Sequence, residues 1–317
     1  MKKLLLLFLL LGSAATVFLY DYVINKPVFT AENTLFLVKK GDSLPKIAQA
    51  LQDSGLVENK YLFIVYAKIN KLYPRIKAGE YLVENGSSLV NLAEKLTSGK
   101  VYLHKVTFPE GLTSKEAVDI LQKTEFLASQ KIEIPPEGSI LPETYTFIRE
   151  DVPQKVISQA QKALMDILEQ AWNERDRDLP LKNKEEMLIL ASIVEKETGI
   201  ATERAQVASV FVNRLRLGMM LQTDPTVIYA ITGGREELSR PLTRKDLSID
   251  SLYNTYKYAG LPPSPICNPG KDAIFAVAHP DKTPYLYFVA SGRGGHNFAT
   301  TLSEHNENVR KWRALNK

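Results

Sequence analysis

Residues 185–198 read EEMLILASIVEKET, and the reading of the chain turns on them. Ile189, Leu190, Ile193 and Val194 fall at i, i+1, i+4 and i+5, the spacing of a helix with a buried face. Counting back from Glu197 by four, seven and eight reaches Ile193, Leu190 and Ile189, so this carboxylate shares the apolar face near the helix end. Desolvation disfavours the charged form of such a group and raises its pKa, which is the preparation a general acid needs. Glu195 points about 160° around the wheel, toward Ala191 and Ser192. The competing expectation is a structural ion pair between Glu197 and Arg204 or another cation, and one helix alone favours it.

The next sixty or so residues change that balance. Val207–Leu217 predicts a second helix bearing Asn213-Arg214, with Gly218 as its stop. Leu221-Gln222-Thr223-Asp224-Pro225-Thr226 reads as a polar turn running into Val227-Ile228-Tyr229, and Asp224-Pro225 as no more than a turn carries equal weight with a role in the site. Tyr253-Asn254-Thr255-Tyr256 then leads to Gly260-Leu261-Pro262-Pro263. One buried acid with separate Gln222 and Tyr253-Asn254 motifs meets the needs of a sugar site: a proton donor, plus amides and an aromatic hydroxyl to hold hydroxyl and acetamide groups. His296 follows Gly292-Arg293-Gly294-Gly295, and His305 lies nine residues on; neither spacing is that of a helical metal-binding pair, and a Gly-rich loop with one His reads first as structural.

Upstream, residues 35–40 read as a strand, Gly41-Asp42-Ser43 as turn and cap, and Pro45 with Ile47, Ala48 and Leu51 as a helix. A second helix over Lys60–Asn70 and a returning strand over Ala78–Val83 complete a β-α-α-β order. The opening Val38-Lys39-Lys40-Gly41-Asp42-Ser43-Leu44, followed by Ile47-Ala48, resembles the LysM module, a small glycan-binding fold of cell-wall proteins. The alternative is a spacer with no sugar affinity. Ser87–Gly99 is a further capped helix, Val101–Phe108 alternates like a strand, Thr113–Leu121 is helical, and Val152–Arg177 is a long helix ended before Pro180.

Composition bounds the rest. The chain has 317 residues, 24% charged and 44% hydrophobic, which excludes disorder, a collagen-like chain and a multi-pass membrane protein. Forty Lys and Arg against 36 Asp and Glu give +4 without a basic cluster, so no nucleic-acid partner is expected. One Cys and four His leave no internal disulfide and no cysteine-based metal centre.

After Lys2 and Lys3, Leu4–Tyr20 is an uncharged run of seventeen residues, just long enough to cross a bilayer. Leu4–Leu11 with Ser13-Ala14-Ala15 also fits a cleaved signal peptide, but the apolar run resumes at Val17–Tyr20, which favours a retained anchor. The two lysines stay inside, so residues 1–26 are read as cytoplasmic N-terminus and single-pass anchor in the inner (plasma) membrane, with the body periplasmic or extracytoplasmic.

Ala191–Thr198, Val210–Leu215 (VFVNRL), Gly218–Tyr229 (GMMLQTDPTVIY), Tyr253–Pro263 and Tyr285–His296 together resemble the YceG-like family of endolytic murein transglycosylases. The likeness covers the chain after the anchor, including Phe108–Thr113 and Leu141–Tyr145, and departs at Ser264 and at Ser139-Ile140. More distantly, Glu197-Thr198, Leu221-Gln222 and Tyr253-Asn254 are similar to the Glu-Ser, Met-Gln and Tyr-Asn motifs of lytic transglycosylases of goose-lysozyme type, which favours Glu197 over Glu195.

The resemblance implies an α+β protein: anchor, LysM-like βααβ subdomain over 33–100, and a mostly helical, goose-type lysozyme-like catalytic domain with β elements over 101–317, its core at 181–317. It implies cleavage of the β-1,4 bond between N-acetylmuramic acid and N-acetylglucosamine with Glu197 as catalytic acid. Gln222, Tyr253 and Asn254 would position the glycan, Asn213, Thr223 and Asp224 would wall the site, and His296 would line the cleft. It also implies neither metal nor cofactor, glycan strands as partner and a penicillin-binding synthase nearby. A non-catalytic wall-binding scaffold, and a hydrolase using Asp224 or Glu203 to activate water, are the competing functions.

Overall fold

The computed structural model describes residues 2–315, with side chains from residue 9 onward. It divides into two compact units. The first runs to His104 and includes Ile148–Glu150; the second takes Lys105–Phe147 and the chain from Asp151 onward.

The first unit opens with helix α1 (Lys2–Asn25). Among the described residues no helix is both long and apolar enough to cross a membrane, and the first part of the Leu4–Tyr20 run lies outside the described side chains. Strand β1 (Thr34–Val38), helices α2 (Leu44–Asp53) and α3 (Lys60–Ile69), and strand β2 (Gly79–Val83) follow in that order. The two strands pair antiparallel, Phe36 opposite Tyr81 and Val38 opposite Gly79. Pro45 in the first turn starts α2, and the Asn59 side chain caps α3 by accepting from the Tyr61 amide. Helix α4 (Leu89–Ser98) has a reciprocal cap between Ser88 and Asn91 and stops at Gly99, whose φ of +74° a Cβ would oppose. Ile47, Leu51, Phe63, Tyr81, Leu92 and Leu96 form the core of this unit.

The second unit begins one residue into strand β3 (His104–Thr107). The expected strand from Val101 is shorter in fact, because Val101 turns its side chain into the first unit's core. Helix α5 (Ser114–Lys123) carries a Thr113–Glu116 capping box, and strand β4 (Thr144–Phe147) pairs with β3. Four helices then build the main core: α6 (Pro153–Glu174), α7 (Lys184–Glu197), α8 (Arg204–Arg216) and α9 (Asp224–Thr232). Helix α10 (Lys271–Ala278), the hairpin β5 (Tyr287–Ala290) and β6 (His296–Ala299), and α11 (Leu302–Leu315) complete it.

Helix α7 sits at the centre, with α6, α8, α9 and α10 all packed on it. Met187, Leu190, Ala191, Ile193 and Val194 are wholly buried, so the helix is covered on nearly every side. Truncating one such residue, Leu190→Ala, costs about 2–5 kcal/mol. Asp224-Pro225, which the sequence left between a turn and a site, opens α9, with the proline in the first turn where its missing N–H is harmless. Asn268, fully buried, donates to the Leu112 carbonyl (3.1 Å) and accepts from the Ile140 amide (2.9 Å), stitching two loops beside α7.

Candidate active site

The end of α7 presents two glutamates with opposite surroundings. Glu195, its side chain 5% exposed, accepts from the Gly270 amide (2.9 Å) and lies 3.6 Å from the Arg204 guanidinium. Arg204 also reaches Glu110 (3.1 Å) and Asp272 (3.3 Å), so the expected ion pair exists, but on Glu195 and not on Glu197. Glu197 has no ion-pair partner among the described residues. It is half-buried in the wall of a cavity of about 500 Å³, a volume typical of ligand sites.

Burial raises the Glu197 pKa, and the nearby Asp224 charge pushes the same way. The Thr223 hydroxyl, which donates to Glu197 Oε1, and the positive fields of His296 and Arg214 oppose this without cancelling it. A carboxyl so placed holds its proton at pH values where an exposed one has lost it. That is the state of a proton donor.

The loop before α9 is fixed from behind. Gln222 has φ of +50°, a left-handed conformation that costs on the order of 1–3 kcal/mol and persists only where the surroundings enforce it. Its amide donates to the Thr255 carbonyl (3.1 Å), and the Thr223 amide donates to Thr255 Oγ1 (3.1 Å). From the other side, buried Arg214 donates to the carbonyls of Met220 (3.2 Å) and Leu221 (2.8 Å) and, through Nε, to that of Leu286 (2.7 Å). One side chain thereby ties the Gln222 loop to the segment entering β5.

The opposite wall is the β5–β6 hairpin, and His296 stands at its return. Glu203 accepts from the His296 backbone amide (3.0 Å) and pairs with its Nδ1 (2.7 Å). Gly295 makes this possible: a Cβ there would strike the Glu203 carboxylate. Asp224 accepts from the Tyr256 hydroxyl (2.7 Å), whose pKa rises through burial and the carboxylate it touches. His305 stacks on Tyr287 (ring centroids 5.3 Å apart) and leaves Nδ1 without a hydrogen-bond partner among the described residues.

Of the residues singled out in the sequence, Glu197, Gln222, Asp224 and His296 line this cavity together. Thr223 stands behind, bonded to the acid. Three others do not line it. The Asn213 amide donates to the Thr283 and Tyr285 carbonyls, the Asn254 amide to those of Leu247 and Ile249, and Tyr253 meets Ser264 Oγ at 2.6 Å; each side chain holds a loop in place. Arg214, Tyr256 and Tyr287 line the cavity without having been singled out, although Tyr256 closes the same Tyr-Asn-Thr-Tyr run.

A larger open groove of about 770 Å³ lies in the first unit beside α4. Within it Lys95 donates to Glu84 and to the Leu82 carbonyl.

The sequence model of the YceG-like family matches residues 36–311. The chain belongs to the YceG-like family. It is 33% identical to an endolytic murein transglycosylase of Bacillus subtilis (strain 168), over 96% of this chain and 91% of that one. A protein of the same name from Streptococcus pneumoniae serotype 2 is 28% identical over 96% of this chain and 63% of its own length. The crystal structure of a YceG-like protein from Listeria monocytogenes superposes with a TM-score of 0.53 at 32% identity, covering 88% of this chain and 99% of that one.

Proposed function

We propose that this YceG-like protein is an endolytic peptidoglycan lytic transglycosylase, cutting the β-1,4 bond between N-acetylmuramic acid and N-acetylglucosamine within glycan strands. The observation that carries the reading is Glu197: half-buried, with no ion-pair partner among the described residues, its pKa raised, in the wall of a polar and aromatic cleft. Protonated Glu197 gives its proton to the leaving O4 as the C1–O4 bond breaks. The positive charge developing at C1 is stabilised by the sugar's own acetamide. The muramoyl 6-hydroxyl then bonds to C1, returning its proton to the Glu197 carboxylate and closing a 1,6-anhydro ring. No water is consumed, so one carboxyl serves both steps.

The cleft supports this over a hydrolase. Both carboxylates offered by the hydrolase reading to activate a water are engaged, Asp224 by the Tyr256 hydroxyl and Glu203 by the His296 ring and amide. Gln222, Asp224 and His296 are assigned to hold the glycan, with Tyr256 added to them.

In this reading the first unit's βααβ part is a LysM-like module and the second unit a goose-type catalytic domain. Residues 1–26 anchor the chain in the plasma membrane with the body outside the cytoplasm, beside newly made glycan and a penicillin-binding synthase. Mass spectrometry of isolated glycan strands digested by the full chain, wild type beside Glu197→Gln, tests the chemistry. Products ending in 1,6-anhydro-muramic acid, absent with the variant, are expected. Reducing ends would instead establish a hydrolase, and a folded wild type that binds glycan but yields no product would establish the scaffold.

A further inference from the structure

Helix α3 is apolar on both sides. Phe63 and Ala67 face the first unit's core and are fully buried. On the opposite side Tyr61 (64% exposed), Val65 (51%) and Ile69 (62%) follow one another at i, i+4 and i+8, with Leu62 beside them. Its neighbours are built differently: α2 turns Lys46 and Asp53 outward, and α4 turns Asn91, Glu94 and Ser98 outward. A helix hydrophobic all round is a helix covered all round, so the outer face of α3 lacks its cover.

Two features say what the cover is. The first is continuity: Leu62 shares a pocket with Tyr22 and Val23 at the end of α1, whose side chains Leu9–Leu11 and Val17–Leu19 are themselves exposed and apolar. The second is charge. Between residues 58 and 77 the cations are Lys60, Lys68, Lys71, Arg75 and Lys77, against Glu58 alone, and Tyr61 and Tyr73 are both exposed. Apolar residues flanked by lysines and tyrosines are the composition of a helix lying in the interface of an anionic bilayer, where nearby cations are drawn to the lipid headgroups.

We propose that the outer face of α3, through Tyr61, Leu62, Val65 and Ile69, seats on the surface of an anionic membrane, so that the first unit lies against the bilayer instead of hanging from α1. This stands apart from the chemistry assigned to Glu197.

The test places a fluorophore on α3. Cys267 is fully buried, so an introduced thiol at Val65→Cys takes the label, with Lys46→Cys on the exposed face of α2 as reference and unlabelled wild type as control. The full chain is reconstituted into vesicles of phosphatidylglycerol and phosphatidylcholine carrying spin-labelled acyl chains. Loss of most of the emission at residue 65, little loss at residue 46, and weakening of the difference in vesicles of phosphatidylcholine alone are the expected results. Equal quenching at both positions in chains that float with the vesicles overturns the α3 contact while leaving the anchor intact. Failure to float overturns both. A label at 65 shielded in detergent in proportion to protein concentration overturns the proposal in favour of a second copy of the chain.

Discussion

Glu195 and Glu197 stand two residues apart on one helix, both with raised pKa values caused first by burial, and they do opposite work. Around Glu195 the protein supplies a guanidinium and a backbone amide, and the carboxylate is a structural joint. Around Glu197 it supplies a hydroxyl, a second carboxylate and a cavity, and the carboxyl is left able to give up a proton. What separates the two is contact: Glu195 has a guanidinium 3.6 Å away and a backbone amide bonded to it, whereas His296 and Arg214 act on Glu197 without pairing with it.

The sharpest way to break the contrast is Glu197→Gln. Product formation is expected to fall by about 10²–10⁴-fold, read by quantifying anhydro ends, with the fold intact. Its stability should also separate from wild type with pH. A carboxyl whose folded pKa is raised contributes stability that is full below the unfolded value, near 4.3, and is lost as pH rises through the folded value. Thermal unfolding at neutral pH should therefore find the variant more stable than wild type, and at acid pH the difference should vanish.

Arg204→Met attacks the other glutamate. It leaves Glu195 buried without its cation and should cost about 3 kcal/mol or more in denaturant unfolding, while kcat of the folded protein stays near wild type. A large loss of kcat in a stable variant would erase the distinction between the two sites.

Smaller effects come from the groups around Glu197. Thr223→Val removes a hydrogen bond to the carboxylate and should lower kcat roughly tenfold. Because that bond lowers the Glu197 pKa, its loss should also move the alkaline limb of the pH–rate profile upward. Asp224→Asn removes a charge that raises the same pKa, so it should move that limb downward. The limb itself falls as pH rises, since the donor must be protonated, and two shifts of one sign would mean that another group sets it.

Glu197 was legible because helical spacing places it on an apolar face, and spacing is a property of the sequence. Caps were legible for the same reason: Thr113 to Glu116 is a local signal, and the helix starts where it says. The partners of polar side chains were not. Asn213 and Asn254 look like ligand amides, yet each is bonded to two backbone carbonyls, contacts up to 72 residues distant in the case of Tyr285. The ion pair of Arg204 went to the wrong glutamate in the sequence reading because a side chain seven residues away does not announce which of two carboxylates it will face. The hairpin bearing His296 was foreshadowed only by its glycines.

Arg214 carries a consequence of another kind. Since one guanidinium grips the carbonyls of Met220, Leu221 and Leu286, the gap between the two walls is gauged by the length of a single arginine. Lysine has the charge but not the rigid planar fork that sends Nε to one wall and Nη1 to the other. The spacing of the two walls is thus set, like the jaws of a caliper, by a side chain outside the run of residues that bears the acid.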